Sequence, residues 1–251
     1  MIFITGDIHG NPHRLNSASF TEQKEMTKDD YVIICGDFGM VWHYSETREE
    51  KYWLDWLEQK PFTTLFIDGN HENFERLYSY PVEEWHGGKV HKIRPSVMHL
   101  MRGEVFDIDD KKIFAFGGAS SHDISDGILD GDSPYLSQEI QKMRDEGKYM
   151  YRIEGISWWK QELPSDEEMK NGITNLKKVD NQVDYIITHS PSASIIAMLG
   201  KGLYDQDVLT RYLEDIKTNT SYRKWFAGHM HVNRAINDKD ILLYEQIVRI
   251  A

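Results

Sequence analysis

Short apolar runs that stop abruptly at polar side chains constrain the fold of this sequence more than any other feature. Each run has four or five residues, is rich in β-branched or aromatic side chains, and is bounded by turn-forming residues, which predicts a buried strand. The runs are IFIT at 2–5, YVIIC at 31–35, TTLFI at 63–67, DYIIT at 184–188 and KWFA at 224–227. The chain is therefore expected to bury several short strands in one core.

The segments between these runs carry helical patterns. Residues 47–60 place aromatic and leucine side chains at helical spacing between charges, and residues 165–179 and 205–216 also predict helices. Residues 97–108 and 111–118 follow one another with no long helix between them, so we expect consecutive antiparallel strands. The pattern as a whole predicts a mixed α/β fold in which two packed, mixed β-sheets are flanked by helices.

Length and composition favour one large domain. With 251 residues, 40% of them hydrophobic, the chain can build a single core, and we expect one domain over residues 1–251. Residues 118–164 depart from the strand pattern, because Gly, Ser and Asp clusters surround a charged, helix-like segment there. We expect an insertion or a lid. Its Trp158 and Trp159 could stack on a substrate ring, although packing within the core or the lid is the favoured interpretation.

The charge of the chain bears on its partners. A formal net charge of −12 disfavours a surface that neutralises a long phosphate backbone, because such surfaces concentrate Lys and Arg on one face. Long duplex nucleic acid is therefore not expected as a partner. A small phosphorylated substrate can still be bound through metal ions, and the eleven histidines are a supply of ligands for them.

The compartment is suggested by Cys35, the only cysteine. It lies within an apolar run, so we expect a buried, reduced thiol and no internal disulfide. No segment approaches the roughly 18 consecutive apolar residues that a membrane span requires. Residues 1–10 also lack the basic segment and cleavage site of a signal peptide. These observations predict a cytoplasmic protein without a membrane partner.

Side chains that can bind metal ions follow all five apolar runs. They are Asp7, His9, Asp37, Asn70, His71, Glu72, His189, His229 and His231. Because the carboxyl ends of strands in α/β sheets share one edge, we expect these side chains to converge. Carboxylate, imidazole and amide groups suit manganese, iron or zinc better than calcium. Glycines next to several of these residues allow the chain to turn sharply and approach an ion closely.

Each of these residues also has a purely structural interpretation. Asp and Asn favour turns and helix caps, and a lone histidine such as His189 is often a hydrogen-bonded core residue. The repeated occurrence of such residues at strand ends favours the metal site. His122 and Asp123 follow the strand-like residues 111–118 and could border that site.

Five stretches in this order resemble the pattern of the calcineurin-like metallophosphoesterase family: GDIHG at 6–10, GD at 36–37, GNHE at 69–72, His189 and GHMH at 228–231. The resemblance implies an αββα sandwich with a dinuclear metal centre. One ion would be held by Asp7, His9, Asp37 and His231. The second would be held by Asp37, Asn70, His189 and His229, with Asp37 bridging. An extended GHMH segment would then point alternate histidines at neighbouring ions.

The resemblance also implies a reaction. Two divalent ions roughly 3.5–4 Å apart bind a phosphoryl oxygen and lower the pKa of a bridging water, which attacks phosphorus as hydroxide. Asp37 would be a catalytic residue as the bridging ligand, and His71 would be the acid for the leaving oxygen or a donor to the phosphate. Glu72 would orient His71 or open the helix that follows. Mn²⁺ is the favoured metal, while Fe, Zn²⁺ or Ni²⁺ would fit the same ligands.

One stretch departs from a branch of that family. GDFGMVW at 36–42 lacks the arginine that holds the phosphate in the pattern Gly-Asp-x-x-Asp-Arg-Gly, which disfavours a Ser/Thr protein phosphatase. Arg152, in the predicted insertion, or Arg76 could replace it, although an ordinary surface arginine is the simpler interpretation for either. Asn70 is the other candidate for a contact with substrate.

Together these features predict a metal-dependent phosphoester hydrolase that acts on a phosphomonoester or a small phosphodiester. A nuclease for short nucleic acids is the enzymatic alternative. A metal-binding scaffold without turnover is the alternative from another functional class. The sequence does not separate monoesters from diesters, and it gives no indication of the oligomeric state.

Overall fold

A computed structural model describes residues 1–200 and 206–251. In chain order the strands are β1 (Ile2–Thr5), β2 (Tyr31–Ile34), β3 (Thr63–Phe66), β4 (Val82–Trp85), β5 (Gly88–Arg94), β6 (Val97–Leu100), β7 (Glu104–Ile108), β8 (Lys111–Phe116), β9 (Gly127–Leu129), β10 (Tyr151–Ile153), β11 (Tyr185–Thr188), β12 (Lys224–Ala227), β13 (Arg234–Ala235), β14 (Asp240–Leu242) and β15 (Val248–Arg249). The α-helices are α1 (Arg48–Glu58), α2 (Phe74–Ser79), α3 (Leu136–Asp145), α4 (Asp166–Lys178), α5 (Ala193–Gly200) and α6 (Val208–Asn219).

Two large mixed sheets form the centre of the described structure. The first has the strand order β15-β1-β2-β3-β6-β5-β4, and the second has the order β13-β14-β12-β11-β8-β7. Strands β1, β2, β3 and β6 run parallel in the first sheet. Strands β8, β11, β12 and β14 run parallel in the second. The carboxyl ends of five parallel strands thus carry the metal-capable side chains.

The alternation of side chains along the strands builds the layers. In β1, Ile2 and Ile4 belong to a core that both sheets share, whereas Phe3 points to the opposite face and packs with residues of α1 and α2. The outer face of the second sheet is covered in the same way by α4, α5 and α6. Burying both faces of each sheet gives a four-layer αββα sandwich. The predicted fold class is confirmed.

The helices begin where the sequence provides caps. Thr47 caps α1 and Ser165 caps α4, each in a reciprocal arrangement with the glutamate three residues later. The predicted ranges 47–60 and 165–179 therefore match these helices closely. The predicted range 205–216 corresponds to α6, although its first residue lies outside the described residues.

Two sequence expectations need correction. Residues 97–108 are not one strand, because the chain turns at residues 101–103 and passes from β6 in the first sheet to β7 in the second. Residues 118–164 were expected to lack strands, yet they contain the short parallel pair β9 and β10 beside α3. Among the described residues, no helix combines the length and the apolar character needed to cross a membrane.

Candidate metal centre

The register of the strands brings the polar strand ends together. In the first sheet Thr5 lies beside Ile34, which lies beside Phe66, so the three strands end at the same level. In the second sheet Thr188 lies beside Ala227. The residues that follow these positions are those singled out from the sequence. Both sheets therefore contribute to the site, three strands from one and two from the other.

Four predicted ligands form a compact group. Asp7, His9, Asp37 and His231 each offer one ligand atom, and these atoms all lie within 4.8 Å of one another. His231 Nε2 is 3.1 Å from Asp7 Oδ2 and 3.0 Å from His9 Nε2. His9 Nδ1 is 3.7 Å from Asp37 Oδ2. This is the same set that the family resemblance implies for one ion.

The other predicted ligands lie on the opposite side of Asp37. His189 Nε2 is 3.3 Å from Asp37 Oδ1, and the rings of His189 and His229 meet edge to face with centroids 4.9 Å apart. The backbone N–H of Asn70 donates to Asp37 Oδ1 at 2.8 Å. Asp37 thus stands between the two sets of side chains.

The backbone at the site is strained in a consistent way. His9, Asp37, His229 and His231 all have positive φ angles, between 44° and 64°, a region that residues other than glycine rarely adopt. The GHMH segment is therefore a tight turn, and the expectation of an extended segment was wrong. The turn is stabilised by Asp7, whose two carboxylate oxygens accept the backbone N–H of His229 at 3.0 and 3.1 Å.

Glycines next to the ligands are required by close approach. A Cβ at Gly69 would collide with the carboxylate of Asp37 and lie 2.8 Å from Cδ2 of His189. A Cβ at Gly228 would collide with Asp7. The ligands can pack this tightly only because these positions carry no side chain.

The electrostatics of the site favour positive charge beside its two carboxylates. Asp7 and Asp37 are buried carboxylates, while burial lowers the pKa of His9, His71 and His229. Burial also opposes a charge on His189, but the carboxylates of Asp37 and Asp7 outweigh it and raise the pKa of His189 to about 10. A divalent ion at this position would supply the same positive charge.

Two buried polar atoms test whether metal ions fit. Asn70 Oδ1 is buried without a hydrogen-bond partner, an arrangement that costs free energy unless a ligand is bound. His189 Nε2 is buried as well and makes no well-aligned hydrogen bond, although the carboxylate of Asp37 lies 3.3 Å away. His189 Nδ1 lies 2.7 Å from the carbonyl oxygen of Cys35 and donates to it, which leaves Nε2 for coordination, as is usual for histidine ligands. The residues present fit divalent ions.

His71 and Arg152 lie together at the mouth of the site. Arg152 Nη2 is 3.4 Å from His71 Nε2, Arg152 Nε donates to Asp123 at 2.7 Å, and its Nη1 donates to the carbonyl oxygen of Ser157. Burial, with the positive charge of Arg152, lowers the pKa of His71 despite the carboxylate of Asp37. Arg152 is therefore placed at the site and is not an ordinary surface arginine.

Arg76 and Glu72 have structural roles that the sequence did not show. Arg76 is buried and donates to both oxygens of Glu50 at 2.9 Å, so it is neither a surface residue nor free for phosphate. The hydrogen bonds described for the Glu72 carboxylate go to backbone N–H groups and not to the His71 ring, and Asn73 caps α2. The Glu72 carboxylate accepts the backbone N–H groups of Phe38 and Gly69 at 2.6 and 2.8 Å, which ties the two ligand loops together.

Other residues border the site. His122 stacks on His229 with ring centroids 4.5 Å apart, as its position after β8 suggested, and it lines a cavity of about 270 Å³ with Asp207. Trp159 is buried and contacts Trp42 edge to face, so the packing interpretation holds for it. Ser121 is a residue that sequence reasoning missed, although it lies only five positions after the end of β8. Its hydroxyl lies 3.4 Å from Asn70 Nδ2.

Comparison with known proteins agrees with this geometry. The sequence profile described as calcineurin-like phosphoesterase matches residues 1–233. The chain therefore belongs to the calcineurin-like phosphoesterase family, a family of metal-dependent hydrolases, and the resemblance found in the sequence is confirmed.

The curated relatives are lariat debranching enzymes. The chain is 23% identical to lariat debranching enzyme A of Xenopus laevis, 24% to the lariat debranching enzyme of Danio rerio and 22% to that of Homo sapiens. Each match covers 93% of this chain but only 43%, 40% and 42% of the respective relative. The chain thus spans about two fifths of the length of these relatives.

Proposed function

We propose that this protein is a dinuclear metal-dependent phosphodiesterase that hydrolyses a small or branched phosphodiester. The observation that carries the proposal is the meeting of two sets of ligand side chains around the buried Asp37. The ligand atoms of one set lie within 4.8 Å of one another, and the other set includes the unpaired, buried Oδ1 of Asn70. The name of the relatives, lariat debranching enzyme, denotes cleavage at a branch, which supports a diester substrate. A net charge of −12 favours small substrates over long duplexes.

Seven side chains would hold the two ions. Asp7, His9 and His231 would serve the first ion, Asn70, His189 and His229 the second, and Asp37 both. When bound, divalent ions polarise a phosphoryl oxygen and lower the pKa of water. Mn²⁺ is our choice, since carboxylate and amide oxygens suit it. The carbonyl oxygen of Cys35 and the hydroxyl of Ser121 orient His189 and Asn70.

Arg152 would bind the substrate phosphate in place of the arginine that GDFGMVW lacks. Its guanidinium is already oriented by Asp123 and Ser157, and one N–H group faces the unprotonated Nε2 of His71. A phosphoryl oxygen can accept from the same guanidinium with two parallel hydrogen bonds. In this proposal residues 118–164 act as a lid that delivers Arg152 to the site within a single domain.

His71 has two proposed roles that leaving groups can separate. If His71 protonates the leaving oxygen, His71→Ala should slow alkyl esters much more than p-nitrophenyl esters, because p-nitrophenolate leaves without a proton. If His71 only donates to the phosphate, both ester types should slow equally.

The proposal is tested with matched aryl substrates. Protein stripped of metal and refilled with Mn²⁺ is given p-nitrophenyl phosphate and methyl p-nitrophenyl phosphate, which share their leaving group. We expect metal-dependent turnover with preference for the diester. Preference for the monoester would indicate a phosphatase, and binding of two ions without turnover of either ester would indicate a metal-binding scaffold.

We also propose that the protein works in the cytoplasm. The single cysteine, Cys35, is buried and free, which suits a reducing compartment. Localisation of a fluorescent fusion checks this proposal.

A further inference from the structure

A cavity with aromatic walls opens beside the first ligand group. Its volume is about 180 Å³, and His9, Trp42 and Trp53 contribute to its lining. Trp42 packs against His71, with ring centroids 5.5 Å apart and planes 28° apart. Trp53, on α1, meets His13 edge to face. Because His9 belongs to both the cavity and the ligand group, the cavity adjoins the metal centre, and a substrate bound there can extend into it.

Hydrogen bonds to a buried ion pair fix the segment that carries Trp42. The carboxylate of Glu50 accepts the backbone N–H groups of Trp42 and His43 at 2.8 and 3.1 Å. Arg76 pairs with Glu50 and also donates to the carbonyl oxygen of His43 at 3.1 Å. This ion pair is buried, with both side chains less than a tenth exposed. The turn that carries Trp42 is therefore rigid before any ligand arrives, which reduces the entropy lost on binding.

The side chains that line the cavity determine which kind of ligand it suits. None of the described residues that line this cavity is a lysine or an arginine, so it does not suit a second phosphate. Trp42 and Trp53 offer flat surfaces for a neutral ring, and the carboxylate of Glu49 at the rim accepts N–H donors. The volume lies below the roughly 300 Å³ at which pockets for drug-sized ligands begin, which suits one ring system.

We propose that this cavity is a nucleobase subsite, in which the base of a nucleoside phosphodiester stacks on Trp53 and Trp42 while its phosphate lies at the metal centre. The inference rests on the proposed phosphodiesterase function and narrows its substrate to nucleotide diesters. Glu50 and Arg76 act as positioning residues for Trp42. Trp53 is the better residue to test, because it does not touch His71 or a proposed metal ligand in the described contacts.

The test compares two diesters that share a leaving group, methyl p-nitrophenyl phosphate and the p-nitrophenyl ester of adenosine 5′-phosphate, in Mn²⁺-loaded protein. Trp53→Leu should lower kcat/KM for the adenosine ester about 5- to 100-fold, mainly through KM, since stacking of one base contributes on that order. Turnover of the methyl ester should not change, which also shows that the variant is folded. Trp53→Phe should retain most of the preference for the adenosine ester over the methyl ester, because phenylalanine keeps an aromatic ring. Tyr149→Leu removes an exposed ring that lies outside the cavity lining and should have no effect.

Equal losses of kcat/KM for the two esters would mean that Trp53 contacts the shared p-nitrophenyl leaving group and not the base. That result would overturn the proposal. No change on either ester would overturn it as well. If the wild type hydrolyses neither ester, the phosphodiesterase proposal fails, and equilibrium dialysis with adenosine 5′-monophosphate still decides the subsite. Binding of adenosine 5′-monophosphate that weakens in Trp53→Leu but not in Tyr149→Leu supports the subsite, and equal binding by all three proteins contradicts it.

Discussion

Asp37 is the residue on which the proposed site depends. Its carboxylate accepts two backbone N–H groups, from Asn70 and His71, at 2.8 and 3.0 Å, and it faces His9 on one side and His189 on the other. Burial alone would raise the pKa of Asp37, but the imidazoles around it, His189 foremost, hold that pKa well below its usual range. The carboxylate therefore stays ionised at neutral pH and can bridge two cations.

The first prediction for a single residue concerns the guanidinium of Arg152. We expect Arg152→Ala to lower kcat/KM for a diester about 10- to 100-fold, because a lost hydrogen bond to a charged group costs on that order. Arg152→Lys should recover only part of the loss, since a lysine cannot form two parallel hydrogen bonds. Steady-state kinetics checks this, with Arg223→Ala, which removes an exposed arginine, as control. Full activity in Arg152→Ala would contradict the proposed role.

Gly69 gives a second residue-scale prediction. An added Cβ would displace the carboxylate of Asp37, so Gly69→Ala should weaken metal binding about 10- to 100-fold, as disturbance of groups around metal ligands commonly does. Gly147→Ala is the control, because a Cβ there meets nothing within 4 Å, and the strain from its φ of 71° falls at the end of α3 and not on a metal ligand. Calorimetric titration with Mn²⁺ measures the metal affinity of both variants. Equal affinities in the two variants would show that Asp37 does not hold the metal.

At the scale of elements, β5 and β6 place two buried histidines opposite each other. His91 and His99 are paired in the register, and their Nδ1 atoms lie 3.0 Å apart. His99 Nε2 is 2.9 Å from Asp68. Burial and the neighbouring His99 lower the pKa of His91 to about 3. His91 is thus neutral in the folded protein over a pH range in which it is protonated in the unfolded chain.

This difference predicts a pH dependence of stability. Since the folded pKa of His91 lies below the unfolded value of about 6.5, the unfolded chain binds an extra proton as the pH falls, and the free energy of unfolding decreases. From pH 6.5 to 5 the expected loss from His91 is about 2 kcal/mol. In urea unfolding, the free energy of unfolding of His91→Asn should fall by about 2 kcal/mol less than that of the wild type between pH 6.5 and 5. His86→Asn, at an exposed histidine, should behave like the wild type, and an unchanged slope in His91→Asn would contradict the assignment.

The sequence predicted those elements whose structure is determined by residues close together in the chain. The five apolar runs, the capped helices and the residues at the strand ends all carry such local signals. The pairing of His91 with His99 depends on the register of β5 against β6, and the ion pair of Arg76 with Glu50 joins residues 26 positions apart, so neither carries a local signal. The GHMH turn was misjudged because its backbone conformation is imposed by Asp7, more than 220 positions away.

For the whole molecule, the site exists because two sheets end at one edge. Asp7, Asp37 and Asn70 follow strands of the first sheet, while His189, His229 and His231 follow strands of the second. Packing of the sheets in the core that they share therefore determines the distance between the two ligand sets. Arg152 and Ser121 reach the same edge from residues 118–164, so the proposed lid meets the metal centre there.

The most direct test of this account measures metal content and diester turnover together in wild type, Asp37→Asn and the control Asp29→Asn, which changes an exposed aspartate. We predict two divalent ions per chain and metal-dependent hydrolysis of methyl p-nitrophenyl phosphate in the wild type and the control. Asp37→Asn should lose at least one ion and nearly all turnover. Retention of both ions and of activity in Asp37→Asn would contradict the dinuclear centre described for this protein.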